Sequence, residues 1–138
     1  ALYPELTDTI FMMRHPSGKG AGLRSDFYAS THDVAPTILS FLGVDQPAPM
    51  DGQDLTPLLM GGSSEQPRDH ITQGYYRYIC VRDERRVMFC LSDMTDAHLF
   101  DAVNDADQRR NLAETEPETV RRMYEDYAQR DAAGRLPG

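Results

Sequence analysis

"HITQGYYRYICVRDERRVMFCL", residues 70–91, is the stretch on which the fold turns. It holds three runs rich in Tyr, Ile, Val, Phe and Cys: HITQGYY (70–76), RYICVR (77–82) and RRVMFCL (85–91). These residue types suit a pleated, half-buried surface, and the intervening DE reads as a turn. A fourth run, AHLFDA (97–102), follows the turn-forming SDMTD. A small antiparallel sheet is the expected result. Its central hairpin has two readings. A three-residue loop centred on Arg85 sets Cys80 opposite Cys90, whereas a two-residue loop puts them one position out of register and on opposite faces.

Downstream, Thr115 and Glu118 have capping-box spacing, with Pro117 in the first turn. Val120, Met123, Tyr124, Tyr127 and Ala128 recur at i, i+3, i+4, i+7 and i+8, so a helix is predicted to lie across the sheet. The final DAAGRLPG reads as a frayed tail.

Upstream, GSSEQP (62–67) separates this β-rich part from a different pattern. TIFMMR (9–14) reads as a strand buried on both faces and SDFYAS (25–30) as a weaker one, with the loop HPSGKGAG between them. STHDVAPTILSFLGV (30–44) predicts a short helix. Pro36 restricts its start to the preceding few residues, with His32 or Asp33 as N-cap. Gly43 and Val44 supply the C-terminal stop, and Val34, Ala35, Ile38, Phe41 and Leu42 form the apolar face. DLTPLLMG is at most one or two helical turns, with Leu55, Leu58 and Leu59 on one side.

The chain has 138 residues, 40% hydrophobic and 26% charged, as expected for one globular domain or one piece of a larger one. A net charge of −8 with scattered basic residues excludes a general nucleic-acid or anionic-membrane surface. No apolar run is long enough to span a bilayer, and the opening ALYPELTDTIFMMRHP lacks the features of a signal peptide. The missing initiator Met suggests processing or excision from a longer chain. Two cysteines are too few for a disulfide scaffold and wrongly patterned for zinc.

Acids close to His32 and His98 invite a metal site at His32/Asp33 or at Asp96, His98 and Asp101. Neighbouring strand residues point to opposite faces and no H-x-x-x-H spacing occurs, so no metal site is expected in this chain. Asp33 is more simply a helix-start residue that complements the dipole. No G-x-S-x-G elbow, Walker A loop or G-x-G-x-x-G turn is present, and neither cysteine has neighbours that activate a thiol. The residues by themselves describe a scaffold with no active site.

The order of four stretches carries more. YPELTDTIFMMRHPSGKGAG, SDFYASTHDVAPTILSFLGV, MDGQDLTPLLMG and HLFDAVNDADQRRNLA resemble, in sequence and spacing, the C-terminal third of sulfatases in the alkaline-phosphatase superfamily. The resemblance implies an α+β piece. Residues 1–61 would end the sulfatase α/β core, 62–67 would link, and 68–138 would form the small antiparallel sheet packed by a C-terminal helix. The strand IFMMRHP would join the large central sheet, and Asp-x-x-Pro-Thr would be a structural element.

Ala106 and Gln108 stand where the last motif usually has Pro and Glu, and Asp8 and Ile10 where a basic residue and Pro are common, which puts substrate contacts in doubt. The C/S-x-P-x-R motif that yields the formylglycine nucleophile does not occur here. The resemblance therefore implies catalytic residues, and ligands for calcium or a similar divalent cation, upstream of this chain. No catalytic or metal residue is assigned within it.

What remains is fold and cleft wall in a sulfate-ester hydrolase. His15, Lys19 and His70 are the substrate-cleft candidates. Partners implied are the upstream part of the parent chain and a small sulfate ester, with neither nucleic acid nor membrane. The alternatives are a phosphodiesterase or phosphonate hydrolase of the same superfamily, or a non-catalytic interaction module. Produced alone, the chain is expected to be inactive and to self-associate through the uncovered TIFMMR strand.

Overall fold

A computed structural model describes residues 7–64 and 66–136. Residues 1–6, which include the start of the first family-like stretch, Glu65 of the linker and the last two residues of the expected frayed tail lie outside the described residues. The chain divides into two compact units, Ile10–Arg68 and Ala1–Thr9 with Asp69–Gly138.

The second of these contains the predicted meander: β1 (His70–Tyr75), β2 (Tyr78–Asp83), β3 (Arg86–Leu91) and β4 (His98–Asp101), all antiparallel and in sequence order. The β2–β3 loop has two residues. Asp83 Oδ1 fixes it by accepting the backbone N–H groups of Arg85 at 2.8 Å and Arg86 at 2.7 Å. The register then pairs Ile79 with Cys90 and Cys80 with Phe89. Alternation does the rest. Ile79, Val81, Met88, Cys90 and Leu99 share one buried cluster, while Cys80, Val87, Phe89 and Phe100 share another on the opposite face.

The first cluster is closed by α3 (Pro117–Met123) and its π-helical continuation Tyr124–Gln129. Val120, Met123, Tyr124 and Ala128 are buried there with Tyr127 beside them, so the predicted stripe is the packed face. The capping box does not form. Thr115 Oγ1 donates to the Leu112 carbonyl at 3.0 Å, and Glu116 occupies the cap position. Arg86 grips the Glu116 carboxylate through Nε at 3.2 Å and a terminal nitrogen at 3.1 Å, which ties the helix start to β3 more strongly than a threonine hydroxyl would. The tail is less frayed than expected: Leu136 packs against the core and its carbonyl accepts from the Gln129 amide at 3.1 Å.

Cys80 and Cys90 are free, buried thiols. Burial, reinforced for Cys80 by the charge of Asp8 and for Cys90 by that of Asp93, pushes them up to about 11 and about 12. Neither thiol is expected to react with a maleimide in the native chain at pH 7.5, and both should react once denaturant is added without reductant. Recovery of an oxidised pair by intact mass would contradict this register.

The other unit carries α1 (Val34–Leu42), entered through a 3₁₀ turn at Thr31–Asp33, and the single turn α2 (Thr56–Leu59). The C-terminal stop is as predicted. Gly43 is left-handed at φ 65°, its N–H reaches the Ser40 carbonyl, and the Val44 N–H reaches that of Leu39 at 3.0 Å.

Three expectations fail here. Residues 9–14 and 25–30 form no strand, because the described residues offer no neighbouring strand to satisfy their backbone groups. Ile10 and Met12 are correspondingly 85% and 84% exposed. The supposed apolar face of α1 is also open, with Val34, Ile38, Phe41 and Leu42 exposed and Pro36 and Thr37 buried instead. What holds α1 is polar, and it centres on Asp33.

Candidate functional site

The side chain of Asp33 is fully buried but does not cap α1. Its two oxygens accept both terminal nitrogens of Arg68, at 2.6 and 2.7 Å, and the backbone N–H groups of Ser30 and Gln53, each at 2.7 Å. Arg68 also donates to the Tyr28 carbonyl at 2.8 Å and lies over the Phe27 ring. One turn on, Thr37 Oγ1 donates to the Asp33 carbonyl at 2.6 Å and accepts the Leu55 N–H at 2.9 Å.

The i, i+4 spacing of Asp33 and Thr37 thus grips the Gln53–Leu55 backbone at two points on one face of α1. Gly52 completes the join, since a Cβ there would overlap the His32 carbonyl. Burial alone raises the Asp33 carboxyl. The Arg68 hydrogen bonds, the two backbone N–H groups and the Arg68 charge outweigh it and leave the group below its ordinary value. All four acceptor positions are filled, so this carboxylate is structural and has no position left for a metal. Sequence reasoning missed Arg68 because it sits in a linker-like stretch far from Asp33.

The cleft candidates separate between the units. His15 and Lys19 share the loop after residue 14. His15 Nδ1 accepts the Ser17 N–H at 3.1 Å and lies 2.6 Å from the Ser17 hydroxyl, and the ring leans on Phe41 with centroids 5.2 Å apart. Lys19 is exposed.

His70 belongs to the other unit and is only 7% exposed. Its Nδ1 lies 2.6 Å from Asp69 and its Nε2 3.1 Å from Asp131, with Tyr127 stacked at 4.1 Å and Arg130 at 3.2–3.3 Å from both ring nitrogens. The His70 hydrogen bond lowers the Asp69 carboxyl. This arrangement clamps the start of β1 to the end of the C-terminal helix.

The residues weighed as ligands are spoken for. His98 lies between Asp96 at 3.3 Å and Asn111 at 3.2 Å, while Asp101 accepts from Val103, Asn104 and Arg86. Among the described residues no three His, Cys, Asp or Glu side chains are placed to hold a metal. The described residues thus do not fit the divalent cation that the resemblance implies, and neither Cys80 nor Cys90 lies in a C/S-x-P-x-R sequence that would yield formylglycine. Of the departures, Asp8 pairs with Arg82 at 2.7 Å, and Gln108 is buried in a left-handed turn with φ 52°. Both line a small pocket with Gln73 and Cys80. No helix among the described residues is long and apolar enough to cross a membrane.

The family described as N-sulphoglucosamine sulphohydrolase, C-terminal, matches residues 1–133. The N-acetylglucosamine-6-O-sulfatase of Bacteroides thetaiotaomicron is 31% identical over 108 residues, which make up 78% of this chain and 19% of that protein. The chain therefore spans under a fifth of the length of this curated relative. The phosphonate monoester hydrolase of Agrobacterium radiobacter superposes with a TM-score of 0.68 at 24% identity, over 86% of this chain and 27% of that one. A protein solved in complex with its substrate D-glucosamine-2-N,6-O-disulfate superposes with a TM-score of 0.62 at 20% identity, over 76% of this chain and 24% of that one. At these identities the structural likeness is one of fold.

Proposed function

The chain belongs to the N-sulphoglucosamine sulphohydrolase C-terminal family, and on that premise we propose that it is the C-terminal part of a sulfate-ester hydrolase acting on sulfated sugars. Residues 1–61 end the α/β core, 62–67 link, and 68–138 form the small sheet with its helix. The chain supplies scaffold and one wall of the substrate cleft, to which His15, Lys19 and His70 are the candidate contributors. The formylglycine nucleophile and the calcium ligands come from the upstream part of the parent chain. Sulfate-ester cleavage needs a positioned nucleophile and preorganised positive charge on the sulfate oxygens. The observation that carries this reading is the family match across residues 1–133. Produced alone, the chain is expected to self-associate through the uncovered TIFMMR segment, in which Ile10 and Met12 are exposed.

A second reading, hydrolysis of phosphonate monoesters, is supported by the superposition on the Agrobacterium radiobacter enzyme over 86% of the chain. The two are separated by kcat/KM of the full-length protein for a nitrophenyl sulfate and for a nitrophenyl phosphonate monoester. The sulfatase reading expects the sulfate to win by at least roughly a hundredfold. A phosphonate preference of that size would replace it.

A further inference from the structure

The chain carries −8 overall, yet residues 9–25 contain Arg14, Lys19, Arg24 and His15 and no Asp or Glu. Lys19 is the one lysine in the sequence. Arg14, Lys19 and Arg24 form no ion pair among the described residues, although most of the other cations do.

The backbone between them is shaped as well as charged. Gly18, Gly20 and Gly22 are left-handed at φ 74°, 70° and 79°, and the intervening Lys19 and Ala21 are not. The turns here leave the Gly20 and Gly22 N–H groups without an acceptor among the described residues, and backbone donors of this kind suit an anion. The loop is also anchored. Three turn hydrogen bonds close it, Gly18 to His15, Ala21 to Gly18 and Leu23 to Gly20. Gly20 sits so close to the Leu59 carbonyl at the end of α2 that a Cβ would overlap it. His15 is fixed at one rim. Because its Nδ1 accepts the Ser17 N–H, its Nε2 is left as the N–H donor.

We propose that loop 15–22, flanked by Arg14 and Arg24, is an oxyanion-binding loop that holds a sulfate or phosphate group of a saccharide substrate, separate from the ester being cleaved. That the carrier is a substrate rests on the hydrolase reading above. The loop's affinity for the anion rests on the charge pattern and the backbone alone. Cations without an ion pair among the described residues attract such a group in an acidic chain, and charge-assisted hydrogen bonds from Lys19, the His15 Nε2–H and the Gly20 and Gly22 amides hold it.

The test is amine-acylation footprinting of the full-length protein, read on the Lys19 peptide, with an O-sulfated glucosamine, its unsulfated counterpart and inorganic sulfate or phosphate. The sulfated sugar is expected to slow acylation of Lys19 at least about fivefold while the unsulfated sugar leaves it unchanged. By calorimetry, Lys19→Gln and Arg24→Gln should each weaken binding of the sulfated sugar roughly tenfold. Protection by none of the anions overturns the loop, and equal protection by inorganic sulfate or phosphate overturns the saccharide as carrier. Turnover of a nitrophenyl sulfate is scored separately. Turnover without Lys19 protection sinks this proposal alone, and protection without turnover sinks the hydrolase reading alone.

Discussion

Asp33→Asn is expected to release the Gln53–Leu55 segment and destabilise the Ile10–Arg68 unit by about 3–5 kcal/mol, the range for removing one partner of a buried ion pair. The asparagine amide can accept on one side only. Its NH₂ then faces donors, whether the N–H of Ser30 or of Gln53 or the Arg68 guanidinium, and Arg68 keeps a charge with no counterion. Set against the ~5–15 kcal/mol that holds a typical domain, that loss is large.

The same clamp fixes the acid limb of stability. Its carboxyl is lower in the folded unit than in the unfolded chain, so its contribution is complete above the ordinary Asp value of about 3.9 and is lost as pH falls from there through the folded value. Amide exchange at Leu55 reports the effect locally, because its N–H is held by Thr37 Oγ1. In the variant, Leu55 should lose protection while the β3 amides keep theirs. Unchanged Leu55 protection would remove Asp33 from the centre of this unit.

The small sheet was legible because its signal is local. Period-two alternation in RVMFCL marks the strand without help from distant residues, whereas the loop length stayed open in sequence; Asp83, accepting the Arg85 and Arg86 N–H groups, selects the two-residue turn. The C-terminal stripe was legible for the same reason at helical spacing, but its cap was not, since Arg86 reaches Glu116 from 30 residues away. TIFMMR misled because apolar character marks a segment for burial and does not supply the neighbouring strand. The face of α1 misled likewise: periodicity located an apolar stripe, while the anchoring was done by Asp33 and Thr37 with an arginine 35 positions on. His15 and Lys19 stood out as loop residues, whereas the partners of His70 on the C-terminal helix lie about 60 residues away and gave no signal in sequence.

The proposed placement of the chemistry in an upstream part of the protein carries the largest expected effect. A sulfate-ester hydrolase deprived of its nucleophile and its cation loses nearly the whole of its rate enhancement, about a millionfold or more. Both thiols are buried and raised, Asp33 is consumed by Arg68, and His70 is enclosed by Asp69, Asp131 and Tyr127. The measurement that decides this is turnover of a chromogenic sulfate ester by the 138-residue chain and by the full-length protein, at equal concentration and with calcium present. Turnover by the full-length protein and none above background by the chain alone is the predicted result. Turnover by the chain alone, abolished by replacing a residue within positions 1–138 in a variant that still folds, would contradict it.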